Sequence, residues 1–160
     1  ELLTALSAPW REDRTNAEPV TLRNRLRAEV IPRLLELKPA APERAASLAS
    51  QMRSLTSLLE HTAATLHAEA VGPEGGWRRD TLRDAETVVI GELIRAEIAR
   101  RDPACRLDRV GHRSLRAAAR AAKDPSGERR VFEVGDGWVV ERTKETLRLV
   151  RRTGPGADLR

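Results

Sequence analysis

The spacing of the apolar residues changes once along this chain of 160 residues. As far as Ala122, apolar residues recur every three or four positions, which is typical of helices that bury one face. After Gly127 they alternate with polar residues, which is typical of strands with one buried face. The sequence therefore predicts a mainly α domain that ends in a small antiparallel sheet.

Proline, glycine and aspartate divide the helical part into about four helices. Pro32 should kink or break the first, because proline has no backbone N–H and its ring clashes with the preceding turn. Gly72 and Pro73 should end the second, and Asp108 should cap the start of the fourth. The helices are predicted over 21–37, 43–70, 84–101 and 108–122.

A three-stranded β-meander is predicted at about 130–151. Gly135-Asp136-Gly137 should form the turn between its first two strands. So few strands are not stable alone, and we expect them to pack on the helices. The strands are predicted over 131–134, 138–142 and 147–150.

The first predicted helix carries polar side chains inside its apolar arc. Arg23, Asn24 and Arg27 fall within that arc, whereas Arg25 and Glu29 lie on the opposite face. A buried charge whose partner is removed costs roughly 3–5 kcal/mol, so we expect a partner to meet these guanidinium groups. The arc itself consists of Leu22, Leu26, Val30, Ile31, Leu34 and Leu37.

A polar loop precedes this helix and is a candidate for part of that partner. Its Glu12, Asp13 and Asn16 are predicted to form one polar network with the two arginines, at a junction between domains. Other roles stay open for the loop residues. Glu12 and Asp13 could be caps, ion-pair partners or metal ligands, and Asn16 could cap a turn.

The chain is basic, with a net charge of +5, and its positive charge is almost all arginine, since lysine occurs only three times. This charge suits a polyanionic partner, although arginines on solvated helix faces would give the same composition. With three Trp, one Phe and no Tyr, an aromatic platform for stacking bases is disfavoured. The candidate RNA-binding residues are two clusters: Arg78, Arg79 and Arg83, and then Arg109, Arg113, Arg116 and Arg120 along the fourth predicted helix.

Several kinds of site are disfavoured by the sequence. Cys105 is the only cysteine, so a disulfide within the chain and a thiolate metal site are excluded, which fits a cytoplasmic protein. His61, His67 and His112 lack the spacing of metal ligands and are predicted to be structural, so no metal site is expected. The sequence contains no phosphate-binding loop, no apolar run of about 18 residues and no signal peptide.

Two segments resemble the tRNA(Ile)-lysidine synthetase family. They are the run from Trp10 to Asn16 (WREDRTN) and the run from Arg23 to Pro32 (RNRLRAEVIP). In that family a W-x-E-D-x-S/T-N segment closes the ATP-dependent catalytic domain, and an R-N-x-L/I-R helix leads into a helical C-terminal domain. The resemblance extends over about 1–151, because the order of helices followed by a small meander also agrees.

The resemblance implies a tRNA-modifying ligase. The family uses ATP, with Mg, to adenylate the wobble cytidine of an isoleucine tRNA with a CAU anticodon, and free lysine then displaces AMP. The ATP-binding loop of the family, S-G-G-x-D-S, is not in these 160 residues. The chain begins with Glu1 and not with Met, so we expect a piece of a longer enzyme that binds no cofactor and is inactive alone.

The resemblance also assigns residue roles. Asn16, Arg23, Asn24 and Arg27 match the motif and would border the active site, with Glu12 and Asp13 supporting them. Arg14 and Ala28 depart from the family pattern, which commonly has Pro or Ser at the first position and His at the second.

The domain boundaries follow from the same resemblance. Residues 1–18 would be the end of the catalytic domain, 19–41 a connecting helix and linker, and 42–160 a tRNA-recognition domain. The alternative is a non-enzymatic helical module that binds a protein or an RNA. A DNA-binding helical domain is less favoured, because no short helix-turn-helix spacing occurs.

Overall fold

The computed structural model describes residues 21–152. The chain forms two compact units, Glu1–Met52 and Arg53–Arg160, so the boundary falls inside the longest helix. Among the described residues, the first unit is helical and the second combines helices with a sheet. The predicted fold class, mainly α with a small C-terminal antiparallel meander, is confirmed.

The first unit contains the predicted helix around Pro32, with a change of helix type instead of a break. Helix α1 (Leu22–Arg25) passes into a π-helical turn (Leu26–Val30) and then into α2 (Ile31–Leu37). In the π turn the Ile31 N–H donates to the carbonyl of Leu26, five residues earlier. This wider turn directly precedes Pro32, whose ring would clash with a regular preceding turn.

The second unit holds the remaining helices. Helix α3 (Ala41–Ala70) continues into it, and it is followed by α4 (Arg79–Arg83), α5 (Thr87–Arg101), a 3-10 turn (Leu107–Arg109) and α6 (His112–Lys123). The sequence analysis did not predict helix α4, and it began the third helix at 84, whereas α5 begins at Thr87.

The predicted start of the fourth helix is wrong. Helix α6 begins at His112 after Gly111, and it has no side-chain cap, so Asp108 does not cap it. Val110 is extended and buried in the core, and the Gly111 N–H donates to the Val134 carbonyl at 3.0 Å. These contacts with the sheet draw the chain out of helical geometry before α6 begins.

The sheet has one strand more than predicted. The strands β1 (Trp77–Arg78), β2 (Arg130–Gly135), β3 (Trp138–Arg142) and β4 (Thr146–Arg151) lie in the order β1-β4-β3-β2, and all neighbours are antiparallel. The meander β2–β3–β4 matches the prediction. Strand β1 has two residues, which is too short for any alternation in the sequence to reveal it.

The core lies between one face of the sheet and the helices of the second unit. Helix α5 packs against α6 and β4, and α6 packs against α4, β2 and β3. The largest apolar side chains that are fully buried there are Trp77, Leu82, Ile90, Ile94, Ile98, Leu147, Val134 and Val140.

Of the helices within residues 21–152, none combines the length and the apolar character needed to cross a bilayer.

Candidate nucleic-acid interface

Helix α6 presents an exposed basic face. Arg113, Arg116 and Arg120 lie on one side of the helix, and all three are exposed. The other side is buried in the core. Alanine has the highest helix propensity, and its small side chain lets α6 approach its neighbours closely. The helix therefore fixes three guanidinium groups on one outward surface, called here the basic face. Its buried residues are Leu115, Ala118, Ala119, Ala121 and Ala122.

The arginines of the basic face differ from those of the sheet in their ion pairs. Arg129 pairs with Glu141 at 3.4 Å, and Arg130 pairs with Glu128 at 3.2 Å. Arg152 likewise pairs with a carboxylate of the sheet. Within residues 21–152, the basic face makes no ion pair. Its charge is therefore not neutralised locally and is available to an anion.

Arg109 lies outside the basic face. It was predicted on the same helix as the other three, but it belongs to the separate 3-10 turn before α6. Its side chain is exposed, while its carbonyl lies against Gly135. Arg109 can still reach an anion, although not as part of the predicted helical stripe.

The second predicted cluster is divided between the surface and the core. Arg78 and Arg83 are exposed, and a guanidinium N–H of Arg78 donates to the Glu69 carbonyl at 2.7 Å. Arg79 is buried, with 3% of its surface exposed, so its predicted contact with RNA is wrong. Its guanidinium donates instead to five backbone carbonyls, which belong to Ala122, Asp124, Ser126, Thr143 and Lys144.

Arg142 is a second buried arginine, which the sequence analysis missed. It pairs with Asp124 at 3.0 Å and donates to the Glu128 carbonyl at 2.7 Å. Hydrogen bonds from the Ser126 N–H and from Arg142 hold the pKa of Asp124 below its ordinary value. The sequence did contain a sign that Arg142 is buried, because strand alternation places it on the same face as Trp138 and Val140. Together the two buried arginines fix the loop that joins α6 to β2.

A groove of about 560 Å³ lies between α3, α5 and α6, next to the basic face. Two arginines of the basic face, Arg113 and Arg116, line it together with two carboxylates of α5 and its N-terminal flank. No pattern in the sequence indicates this groove, since its walls come from three separate helices. The complete lining is Leu59, Glu86, Thr87, Val88, Gly91, Glu92, Arg95, His112, Arg113, Leu115 and Arg116.

The residues that match the family motif lie in the first unit or outside the described residues. Arg23 and Arg27 are exposed, and Asn24 is half-buried. Glu12, Asp13 and Asn16 fall outside the described residues, so the predicted polar network stays a prediction. The apolar arc around the arginines is exposed as well, with 74% of Leu22 and 50% of Val30 accessible.

The three histidines and Cys105 all lie within the described residues. The ring nitrogen Nδ1 of His67 accepts a hydrogen bond from the Trp77 indole at 3.1 Å, which is a structural role. His61 and His112 are exposed. Burial raises the pKa of the Cys105 thiol, and so does the Asp136 carboxylate beside it. In residues 21–152, His, Cys, Asp and Glu form no group that could hold a metal ion.

No family model matches this sequence, and no curated protein matches it at a significant level.

Proposed function

We propose that this chain is the tRNA-binding C-terminal part of a tRNA(Ile)-lysidine synthetase. The observation that carries the binding role is the basic face of α6, whose three exposed arginines make no ion pair within the described residues. Phosphates are the natural ligands of such a surface, because each neutralised phosphate releases condensed counterions. The motif resemblance around Trp10 and Arg23 supplies the choice of tRNA and of the reaction.

The chemistry would belong to the rest of the enzyme. In the parent enzyme, ATP and Mg activate the wobble cytidine of an isoleucine tRNA, and free lysine is the second substrate. The described residues do not fit a Mg site, since they contain no cluster of acidic ligands. This chain would bind and orient the tRNA in the cytoplasm, next to its own N-terminal catalytic domain.

The binding role is tested by the salt dependence of tRNA affinity. We expect the Kd of the chain for an isoleucine tRNA to rise steeply with salt in filter binding. Each phosphate contact contributes a slope of roughly 0.7–0.9 in a plot of log K against log salt. Binding that is absent, or that does not change with salt, would contradict the proposal.

A charge-matched pair of variants tests the assignment to α6. Replacing Arg113, Arg116 and Arg120 by Gln should weaken tRNA binding and reduce the salt slope by roughly 2–3, because three phosphate contacts are lost. The control triple variant, R129Q/R130Q/R152Q, removes the same charge from arginines that are ion-paired on the sheet. If both triple variants lose affinity equally, net charge and not the basic face is responsible.

The motif residues are tested in the full-length enzyme. Arg23→Ala and Arg27→Ala should lower the turnover of lysidine formation more than they lower tRNA affinity, because both arginines would face the catalytic domain. Arg33, exposed on α2, gives a control as Arg33→Ala. Unchanged turnover in both motif variants would remove Arg23 and Arg27 from the active-site border.

A second candidate function is a non-enzymatic helical module that binds a protein. The exposed apolar arc of the first unit favours it, because large exposed apolar patches mark interaction sites. A Gly-Gly-x-Asp-Ser loop upstream in the parent reading frame would support the ligase and exclude the non-enzymatic module. Salt-independent binding of a protein partner, without tRNA binding, would decide for the module.

A further inference from the structure

We propose that the groove between α3, α5 and α6 binds a single unpaired nucleotide of the RNA. This inference rests on the proposed function and names the ligand of one part of the RNA-binding surface. The groove has about 560 Å³, within the roughly 300–1,000 Å³ of sites that take small molecules. It is also continuous with the basic face, since Arg113 and Arg116 belong to both.

Two arginines of the groove lining suit the phosphate of such a nucleotide. Arg113 and Arg116 are exposed, and within residues 21–152 neither is engaged by a carboxylate. Arg95 also lines the groove, but it pairs with Glu92 at 3.7 Å. The two unpaired guanidinium groups can therefore donate to phosphate oxygens without first losing a partner.

Other residues of the groove lining suit a base. Leu59, Val88 and Leu115 supply apolar surface, and 61% of Val88 is accessible. Glu86 and Glu92 add carboxylate acceptors. A base with an exocyclic amino group offers donors to a carboxylate, as cytosine does through N4. A cytosine, adenine or guanine is therefore favoured over a uracil.

Stacking on the base does not need an aromatic residue here. Bases in single-stranded RNA stack on arginine planes and on histidine as well as on Phe, Tyr or Trp. His112, Arg113 and Arg116 are the planar side chains that line the groove.

The test uses the full chain and two RNA hairpins that differ by one bulged cytidine. We expect the bulged hairpin to bind about tenfold more tightly than the fully paired one, as measured by fluorescence anisotropy, because one stacked and hydrogen-bonded base is gained. Equal affinities for the two hairpins would overturn the groove proposal and leave tRNA binding through phosphates intact. No binding to either hairpin or to tRNA would overturn the proposed function as well.

A steric variant links that preference to the groove. A Cβ at Gly91 would lie 3.9 Å from the Leu115 Cβ, an ordinary contact, so the position has room for a Cβ. Gly91→Leu should abolish the preference for the bulge and leave the affinity for the paired hairpin unchanged. Arg120→Gln, on the basic face but outside the groove lining, should weaken both hairpins equally. A bulge preference that survives Gly91→Leu would contradict the proposal.

A second variant keeps the test decisive if Gly91→Leu does not fold. The exposed Glu86 and the half-buried Glu92 can be replaced together as E86Q/E92Q, which keeps size and removes both carboxylates. The wild-type chain should bind a cytidine bulge more tightly than a uridine bulge, and the double variant should lose that difference. No difference between the bulges in the wild-type chain would reject the role of the carboxylates and, with it, the base site.

Discussion

Arginine has two opposite roles in this protein, and burial separates them. Arg79 and Arg142 are buried and donate hydrogen bonds to backbone carbonyls of the loop between α6 and β2. Arg113 and Arg116 are exposed and make no ion pair within the described residues. The guanidinium group suits both roles, since it offers five N–H donors in a rigid plane and never loses its charge.

Arg79→Lys tests the structural role, because it keeps the charge and reduces the donors from five to three. Buried carbonyls left without a donor are costly, so the free energy of unfolding should fall by at least about 2 kcal/mol in urea denaturation. The exposed neighbour serves as the control, and Arg83→Lys should stay within about 0.5 kcal/mol of the wild type. A fully stable Arg79→Lys protein would show that the carbonyl contacts add little.

Glu97 is a buried carboxylate that joins two arginines of α5. It accepts from Arg100 at 2.7 Å and from Arg101 at 2.6 Å, and Arg101 also donates to the Leu149 carbonyl of β4 at 2.9 Å. Burial by itself would raise the pKa of Glu97, but the hydrogen bonds from both arginines outweigh it and hold the pKa below its ordinary value. The carboxylate therefore stabilises the fold in its charged form.

The pH dependence of stability follows from this lowered pKa. The contribution of Glu97 is fully present above the pKa of the unfolded chain and is lost as the pH falls through the lower pKa of the folded state. Glu97→Gln should cost about 2 kcal/mol at pH 7 and should flatten the acid limb of the stability curve. Glu145→Gln, at an exposed site, controls for the change in net charge. Urea denaturation from pH 7 down to pH 2 measures both effects, and an unchanged acid limb in Glu97→Gln would contradict the assignment.

At the scale of elements, the 3-10 turn and the β2–β3 hairpin position α6. Gly135 has a φ of 118°, and a Cβ there would lie 2.3 Å from the Arg109 carbonyl. Gly137 has a φ of 78° but open space around it. Of these two glycines, only Gly135 is required by contact with another element, and that contact fixes the 3-10 turn from which the chain enters α6.

Paired substitutions separate backbone strain from this contact. Gly137→Ala should cost about 1–2 kcal/mol, the usual penalty of a left-handed residue. Gly135→Ala should cost more than about 3 kcal/mol, because it also meets a backbone carbonyl. Thermal unfolding followed by circular dichroism compares the stability of the two variants. Equal losses of stability would show that the close approach of Gly135 to the Arg109 carbonyl adds nothing to the cost.

At the scale of the whole molecule, buried residues are unevenly distributed. None of the residues of α1, the π turn or α2 is buried, and the buried residues of α3 are Ala63, Leu66 and Ala70, near its end. The core belongs to the second unit. Local stability depends on buried apolar contacts, so the two units should differ in how readily they open.

Amide hydrogen exchange should show this difference directly. We expect Leu22–Leu37 to exchange quickly and α5, α6 and β3 to exchange slowly, with protection rising along α3 toward Ala70. The free energy of opening should approach the global value only in the second unit. Uniform protection along the chain would contradict this distribution.

Much of the fold could be predicted from local pattern, and less of the candidate site. Strand β3 was predicted at 138–142 because its aromatic and β-branched residues follow the Gly135-Asp136-Gly137 turn. Helix α3 was predicted because its apolar spacing continues from Leu48 to Leu66, about five turns. Arg79 was assigned to the surface because it lies in a run of charged residues that shows no period. The groove was not predicted at all, since Gly91 and Arg113 are brought together only by the packing of α5 on α6.

The sequence by itself determined the elements: helices, then a meander, with a basic face on α6 opposite an alanine face. These follow from the fixed periods of helix and strand, which act over a few residues. Only the tertiary structure decided which arginines are buried and which are free, as well as the short strand β1 and the shape of the groove. Those features depend on contacts such as that of Arg79 with the Thr143 carbonyl, 64 residues away, and no local pattern encodes such a contact.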